Sequence, residues 1–146
     1  MSTSEADLRR DVAVLEQYRT QIEALAQQQE ILRVSLEEHL RARETLLRFQ
    51  QAGKGAEILV PLGANSFVVA EIKDSEKAFV GVGSDLVVHD AIPAQMERLD
   101  QRIKSITDAA NAIAQRIEQV QRRAEAQSAA VQESYERMQA AQGERS

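Results

Sequence analysis

"ILVPLGANSFVVAEI" occupies residues 58–72. It is rich in β-branched residues and carries one Pro and one Gly, while on either side lie about fifty residues of Gln, Ala, Glu, Arg and Leu with helical spacing. The reading of this stretch decides the fold, because it breaks a chain that is otherwise patterned as long helix. Turn residues divide the middle region into four short strands. Glu57–Leu62 ends at Gly63-Ala64-Asn65, and Ser66–Ile72 follows. Lys73-Asp74-Ser75-Glu76 is a polar turn before Lys77–Val82, and Gly83-Ser84-Asp85 leads into Leu86–Asp90. Pro61 has no N–H to give to a ladder, so its strand is expected at an edge or locally irregular.

The two faces of these strands are both apolar. Ile58, Val60 and Leu62 alternate with Leu59 and Pro61, and Phe67 and Val69 with Val68, Ala70 and Ile72. Phe79 opposes Val80 and Val82, while Leu86 and Val88 oppose Val87. An antiparallel sheet with one wet face alternates apolar and polar residues instead. A pair of helices is too narrow to cover both sides, so the remaining apolar surface is expected to meet other copies or other subunits. The β region therefore reads as an assembly module. Its candidate interface residues are Ile58, Val60, Leu62, Phe67, Val69, Phe79, Val80, Val82, Val87 and Val88.

Five of the six glycines fall within residues 53–83, and Pro61 and Pro93 bracket the same region. Residues 1–52 and 94–142 contain neither residue type. Gly costs about 1 and Pro about 3 kcal/mol in a helix interior, so the flanks are suited to uninterrupted helix. In the C-terminal flank Met96, Ile103, Ala110, Ile117, Ala124, Val131 and Met138 recur every seventh residue. Leu99, Ile106, Ile113, Val120, Gln127 and Ser134 form the second register. This is a coiled-coil seam, bulky near Met96 and smaller and more polar toward the end. Pro93 sits where a first-turn proline is tolerated.

The N-terminal flank repeats Leu8, Leu15, Ile22, Gln29 and Leu36 in one register and Tyr18, Leu25, Leu32, His39 and Leu46 in the other. Asp11, Gln29, His39 and Arg43 interrupt it, as polar residues that set register do. The predicted fold is mainly α with a small β region. It is a single domain with an N-terminal arm (1–52), a two-hairpin assembly region (53–92) and a C-terminal arm (93–146). Each arm spans roughly 65–75 Å at the α-helical rise, and the arms are expected to fold back as an antiparallel two-helix coiled coil with the chain ends at one far tip.

Composition narrows the function. The chain has 146 residues, no Cys and a net charge of −5, so there is no disulfide framework and no thiolate metal site. Met1–Asp11 is polar and charged, unlike a signal peptide, and no apolar run reaches the roughly 18 residues of a membrane span. A soluble cytoplasmic protein is expected, with no membrane partner. The acidic balance argues against nucleic acid, and the C-terminal arm holds 8 acidic and 8 basic residues with no basic stripe. A basic, RNA-binding helical hairpin is thereby disfavoured. His39 and His89 have no second ligand at metal spacing. "AGKG" at 52–55 lacks the phosphate-loop frame, and Gly53-Lys54-Gly55 reads as a helix stop followed by a flexible link. No nucleophile, base or acid pair stands out, so neither an enzyme nor a cofactor is expected.

The block "ILVPLGANSFVVAEI" (58–72) followed by "AFVGVGSDLVVHDAIPAQME" (78–97), set between two heptad arms, resembles the prefoldin family over nearly the whole chain. Four strands match its two-hairpin alpha type rather than the one-hairpin beta type. The resemblance implies an ATP-independent chaperone subunit in which two alpha and four beta subunits join through β-barrels built from their hairpins. It also implies that unfolded polypeptides are held at the coiled-coil tips and passed to a group II chaperonin. Carried onto this chain, the client-binding candidates at the tip are Leu8, Val12, Leu15, Val131, Tyr135 and Met138. Leu8, Leu15, Val131 and Met138 also fit seam positions, where they would pack across the pair at rest. The alternative is a structural coiled-coil assembly or spacer protein without clients.

Overall fold

The computed structural model of the chain describes residues 3–144, with the side chains of Thr3 and Val82 outside the description. In chain order, two long helices flank two hairpins. Helix α1 runs Thr3–Ala52, strands β1 to β4 run Glu57–Gly63, Ser66–Glu71, Lys77–Gly83 and Leu86–Ala91, and helix α2 runs Ile92–Glu144. The four expected strands are found to within a residue or so at each end.

Contacts cluster into two units, one made of α1 up to Arg33 with α2 from Asp108, the other running from Val34 to Thr107. In each, the sections of α1 and α2 that meet run in opposite directions along the chain, which is antiparallel pairing. Every seam position of α2 from Met96 to Met138 is buried or half-buried. Leu99 is 8%, Val120 0% and Ser134 1% exposed. On α1, Leu15 is buried and Leu8, Tyr18, Ile22, Leu25, Leu32, Leu36, His39 and Leu46 are half-buried, whereas Gln29 is exposed. The helices thus present the apolar stripe that their heptads dictate. Gln29 leaves the seam because an unpaired amide is better hydrated than buried.

α1 ends where Gly53, at φ 81°, donates its N–H to Phe49 O at 3.3 Å, a left-handed cap that glycine adopts without a Cβ clash. The following segment is not the loose link that its two glycines imply. Ala56 N donates to Gly53 O (3.3 Å), Gly55 N to Ile72 O (2.8 Å) and Ile72 N to Ala56 O (2.9 Å). These bonds extend the first hairpin's ladder and tie the helix end to it.

The hairpins form two separate two-stranded antiparallel sheets, β1–β2 and β3–β4. They repeat one plan with a 20-residue offset, since Glu57↔Glu71 corresponds to Lys77↔Ala91 and Val60↔Val68 to Val80↔Val88. Each turn has two central residues with positive φ, Ala64 (50°) and Asn65 (59°) in one and Ser84 (48°) and Asp85 (61°) in the other. This is the turn whose twist matches that of the flanking strands. Each strand entering a turn carries a bulge, between Pro61 and Gly63 and between Gly81 and Gly83. The N–H of Ile72 bonds to Ala56 O, and that of Ile92 to Glu76 O at 2.7 Å, in equivalent places. Ile72 and Ile92 are 3% and 0% exposed, and burying each contributes about 1.5–3 kcal/mol.

Candidate interaction surfaces

In the unit from Val34 to Thr107, register sorts the strand residues into two faces. Leu59 pairs with Val69 and Pro61 with Phe67, and on the second hairpin Phe79 pairs with His89 and Gly81 with Val87. Side chains of directly paired residues lie on the same side of a sheet. This face is the open one: Leu59 is 67%, Phe67 56%, Val69 64%, Phe79 72% and Val87 57% exposed. The opposite face carries Ile58, Ala70, Ala78, Val80, Val88 and Asp90, all half-buried, with Val60 and Val68 more open. Leu62 and Leu86 are exposed beside the turns. Of the ten interface candidates, Phe67, Val69, Phe79 and Val87 lie on the open face, while Ile58, Val60, Val80 and Val88 lie on the other. Leu62 occupies the bulge, and the Val82 side chain lies outside the described residues. The candidate set lacked Leu59, Val68 and Leu86. Strand alternation already marked Leu59 as a face-mate of Pro61, and that was the signal for it.

Phe79 and His89 stack with ring centroids 4.1 Å apart and planes 10° from parallel. His89 is therefore part of an exposed aromatic pair, and among the described residues no group of side chains is arranged to hold a metal ion. His39 Nδ1 lies 2.6 Å from Ser35 O, one turn earlier on its own helix. Arg43 and Asp100 form an ion pair between α1 and α2, in which the Asp100 hydrogen bonds, aided by its charge, raise the Arg43 pKa further. Arg98 Nη2 reaches Asp90 Oδ2 at 3.3 Å, linking α2 to β4. These pairs are solvent-exposed and screened, so they orient more than they stabilise.

In the unit made of α1 up to Arg33 and α2 from Asp108, the six tip candidates divide. Leu15 is buried, Leu8, Val131 and Met138 are half-buried, and Val12 and Tyr135 are 40% and 42% exposed. Tyr135 Oη accepts a hydrogen bond from Gln139 Nε2 at 2.8 Å. Three polar seam residues, Asp11, Gln127 and Ser134, are paired across the helices. Gln127 Nε2 donates to the Asp11 carbonyl at 2.7 Å, and Ser134 Oγ donates to Asp11 Oδ2 at 2.5 Å. Sequence reading marked Asp11 as an interruption and Gln127 and Ser134 as polar members of the α2 seam but did not pair them, because the cross-helix register is not written in either helix alone. No described helix is long and apolar enough to cross a membrane.

A family model described as "Prefoldin subunit" matches residues 18–137. The prefoldin subunit alpha of Methanosarcina barkeri is 31% identical over 110 residues, covering 73% of this chain and 76% of that protein. Prefoldin subunit alpha 1 of Thermococcus kodakarensis is 37% identical over 84 residues, 58% of each chain. The alpha subunit of Archaeoglobus fulgidus is 28% identical over 118 residues, 81% of this chain and 86% of its own length. Among solved structures, a chain of the filamentous PFD of Methanocaldococcus jannaschii, determined by cryo-EM, aligns with a TM-score of 0.67. It covers 80% of this chain and 97% of its own at 21% identity, a likeness of fold. Two long helices joined through two hairpins and a family match over most of the length lead to one conclusion: the chain belongs to the prefoldin family of chaperone subunits, and its relatives from M. barkeri, T. kodakarensis and A. fulgidus are alpha subunits.

Proposed function

We propose that this chain is the alpha-type subunit of an ATP-independent holdase. In it, residues 53–92 join two copies to four beta-type subunits, and the arms 1–52 and 93–146 carry unfolded polypeptides at their tips for transfer to a group II chaperonin in the cytoplasm. The observation that carries the assembly half is the open apolar face of the two hairpins. Leu59, Phe67, Val69, Phe79 and Val87, each more than half exposed, hold on the order of 5–10 kcal/mol of unrealised burial. Association itself costs about 4–15 kcal/mol, so a single hairpin contact is marginal and a closed ring of several is favoured. Two unpaired edges on each two-stranded sheet add main-chain donors and acceptors that a barrel would satisfy.

The client half rests on family membership and on the composition of the distal seam, where Ala124, Gln127 and Ser134 replace bulky residues. With no nucleotide step, hold and release come from several weak tips acting at high effective concentration. Val12 and Tyr135 are open at rest, and Leu8, Leu15, Val131 and Met138 become available when the pair separates. Flexible Met suits adaptable contacts.

Deletion of residues 1–14 and 131–146 together tests this division. Assembled with a beta-type partner, the shortened chain forms a complex of the same subunit number yet loses most of its protection of a denatured test protein, read by light scattering. Full protection from the shortened complex places the client site elsewhere. Intact complex that never suppresses aggregation leaves the spacer reading in its place.

A further inference from the structure

The unit made of α1 up to Arg33 and α2 from Asp108 contains a polar clasp in a mainly apolar seam. Asp11 on α1 is held twice from α2: its carbonyl accepts from Gln127 Nε2 at 2.7 Å, and its carboxylate accepts from Ser134 Oγ at 2.5 Å. Ser134 Oγ in turn accepts from Arg137 Nη2 at 3.3 Å, so this hydroxyl both donates and accepts while the residue is 1% exposed. Leu15 and Val120, both buried, belong to the same unit and make ordinary apolar layers.

Polar and apolar layers respond differently to separation of the helices. An apolar layer loses its whole burial when it opens, because water takes back surface it solvates poorly. A polar clasp exchanges protein hydrogen bonds for water hydrogen bonds, and its net loss is small. The same clasp permits only one reclosed register, since a slipped pairing would leave the Asp11 carboxylate against apolar side chains. A layer that opens cheaply and recloses in one register has the properties of a gate.

We propose that Asp11, Gln127 and Ser134 form a reversible clasp that gates the client site, exposing Leu8, Leu15, Val131 and Met138 when it opens. This rests on the tip-located client reading above, and the clasp residues act as positioning residues rather than client contacts. The clasp explains why a seam built for pairing retains a buried serine and a half-buried aspartate where leucine would bind more firmly.

The test uses the assembled complex with beta-type partner and two opposite variants. The pair Asp11→Leu with Ser134→Leu replaces the clasp by an apolar layer. Amide exchange over residues 124–138 is expected to slow at least tenfold, and protection of a denatured test protein is expected to fall at least threefold. Ser134→Ala removes the donor and leaves the carboxylate without it. Exchange there should quicken several-fold while client protection is kept or improved, whereas a purely structural role predicts that protection falls with stability. Slowed exchange with undiminished protection in the leucine pair overturns the gate, as does unchanged exchange in both variants. If the leucine pair does not assemble, a loss of protection in Ser134→Ala overturns it alone. The complex with residues 1–14 and 131–146 deleted is run beside them: full protection there refutes the tip reading itself, a separate result from failure of the clasp.

Discussion

Val69→Asp separates the stability of the chain from the stability of its assembly. Val69 is 64% exposed and pairs across the hairpin with Leu59, 67% exposed. In the isolated chain the substitution adds a carboxylate to a surface already wet. The cost there is the poorer strand propensity of Asp, up to about 1 kcal/mol, with little lost packing. In an assembly that buries this face, the same change forfeits about 1.5–3 kcal/mol of valine burial and strands an unpaired charge, which costs several kcal/mol more. A total above about 4 kcal/mol weakens association more than about a thousandfold. Sedimentation velocity with a beta-type partner is expected to show the mutant unassembled at concentrations where the wild type is fully assembled. Circular dichroism at 222 nm should show unchanged helix content. A mutant that sediments with the wild-type complex refutes the assignment of the open hairpin face to assembly, and a mutant that loses its helices refutes the claim that this face does not support the fold.

Three further outcomes follow from the same geometry. Leu15→Ala, in the buried seam, should destabilise the helix pair by roughly 2–4 kcal/mol, while Val12→Ala, 40% exposed, stays within about 0.5 kcal/mol; thermal unfolding of the two side by side checks the contrast. Ala64→Asn should stabilise the first hairpin by about 0.5–1 kcal/mol, because Ala64 holds φ at 50°, where asparagine is less strained; slower amide exchange in β1 and β2 is the readout. The hydrogen bonds from Arg33, with a smaller Coulombic contribution, hold the Glu30 carboxyl below the usual carboxylate range. A depressed folded pKa means that the pair's contribution is present at neutral pH and lost as pH falls through that value. Arg33→Ala should return Glu30 to the ordinary range in an NMR titration.

Helices were the most legible part of this chain, and for a simple reason. A seven-residue repeat without Gly or Pro leaves few alternatives, and every α2 seam position from Met96 to Met138 is buried or half-buried as its register requires. The hairpins were legible through their turn residues: Ala64-Asn65 and Ser84-Asp85 adopt the positive φ that places both turns. The 20-residue repeat between the hairpins escaped notice because Leu59, Pro61 and Val69 are replaced by Phe79, Gly81 and His89 at equivalent positions. Identity is therefore low where register is the same.

Face assignment was only half legible. Alternation shows which residues share a face, but not which face the chain's own elements cover, and so Ile58, Val80 and Val88 were grouped with residues far more open than they are. The link at Gly53–Gly55 was misjudged for the opposite reason. Glycine content signals conformational freedom, whereas the hydrogen bonds to Ile72 that remove it depend on a strand seventeen residues further on. The Asp11 clasp depends likewise on a pairing between distant helix sections.

Native mass spectrometry of this chain mixed with a beta-type subunit, before and after addition of a denatured test protein, tests the account most directly. The predicted spectrum shows six-chain particles containing two copies of this chain, with client-bound particles appearing on addition and no nucleotide required. A spectrum of single chains under both conditions, with no mixed particle and no bound client, would contradict it.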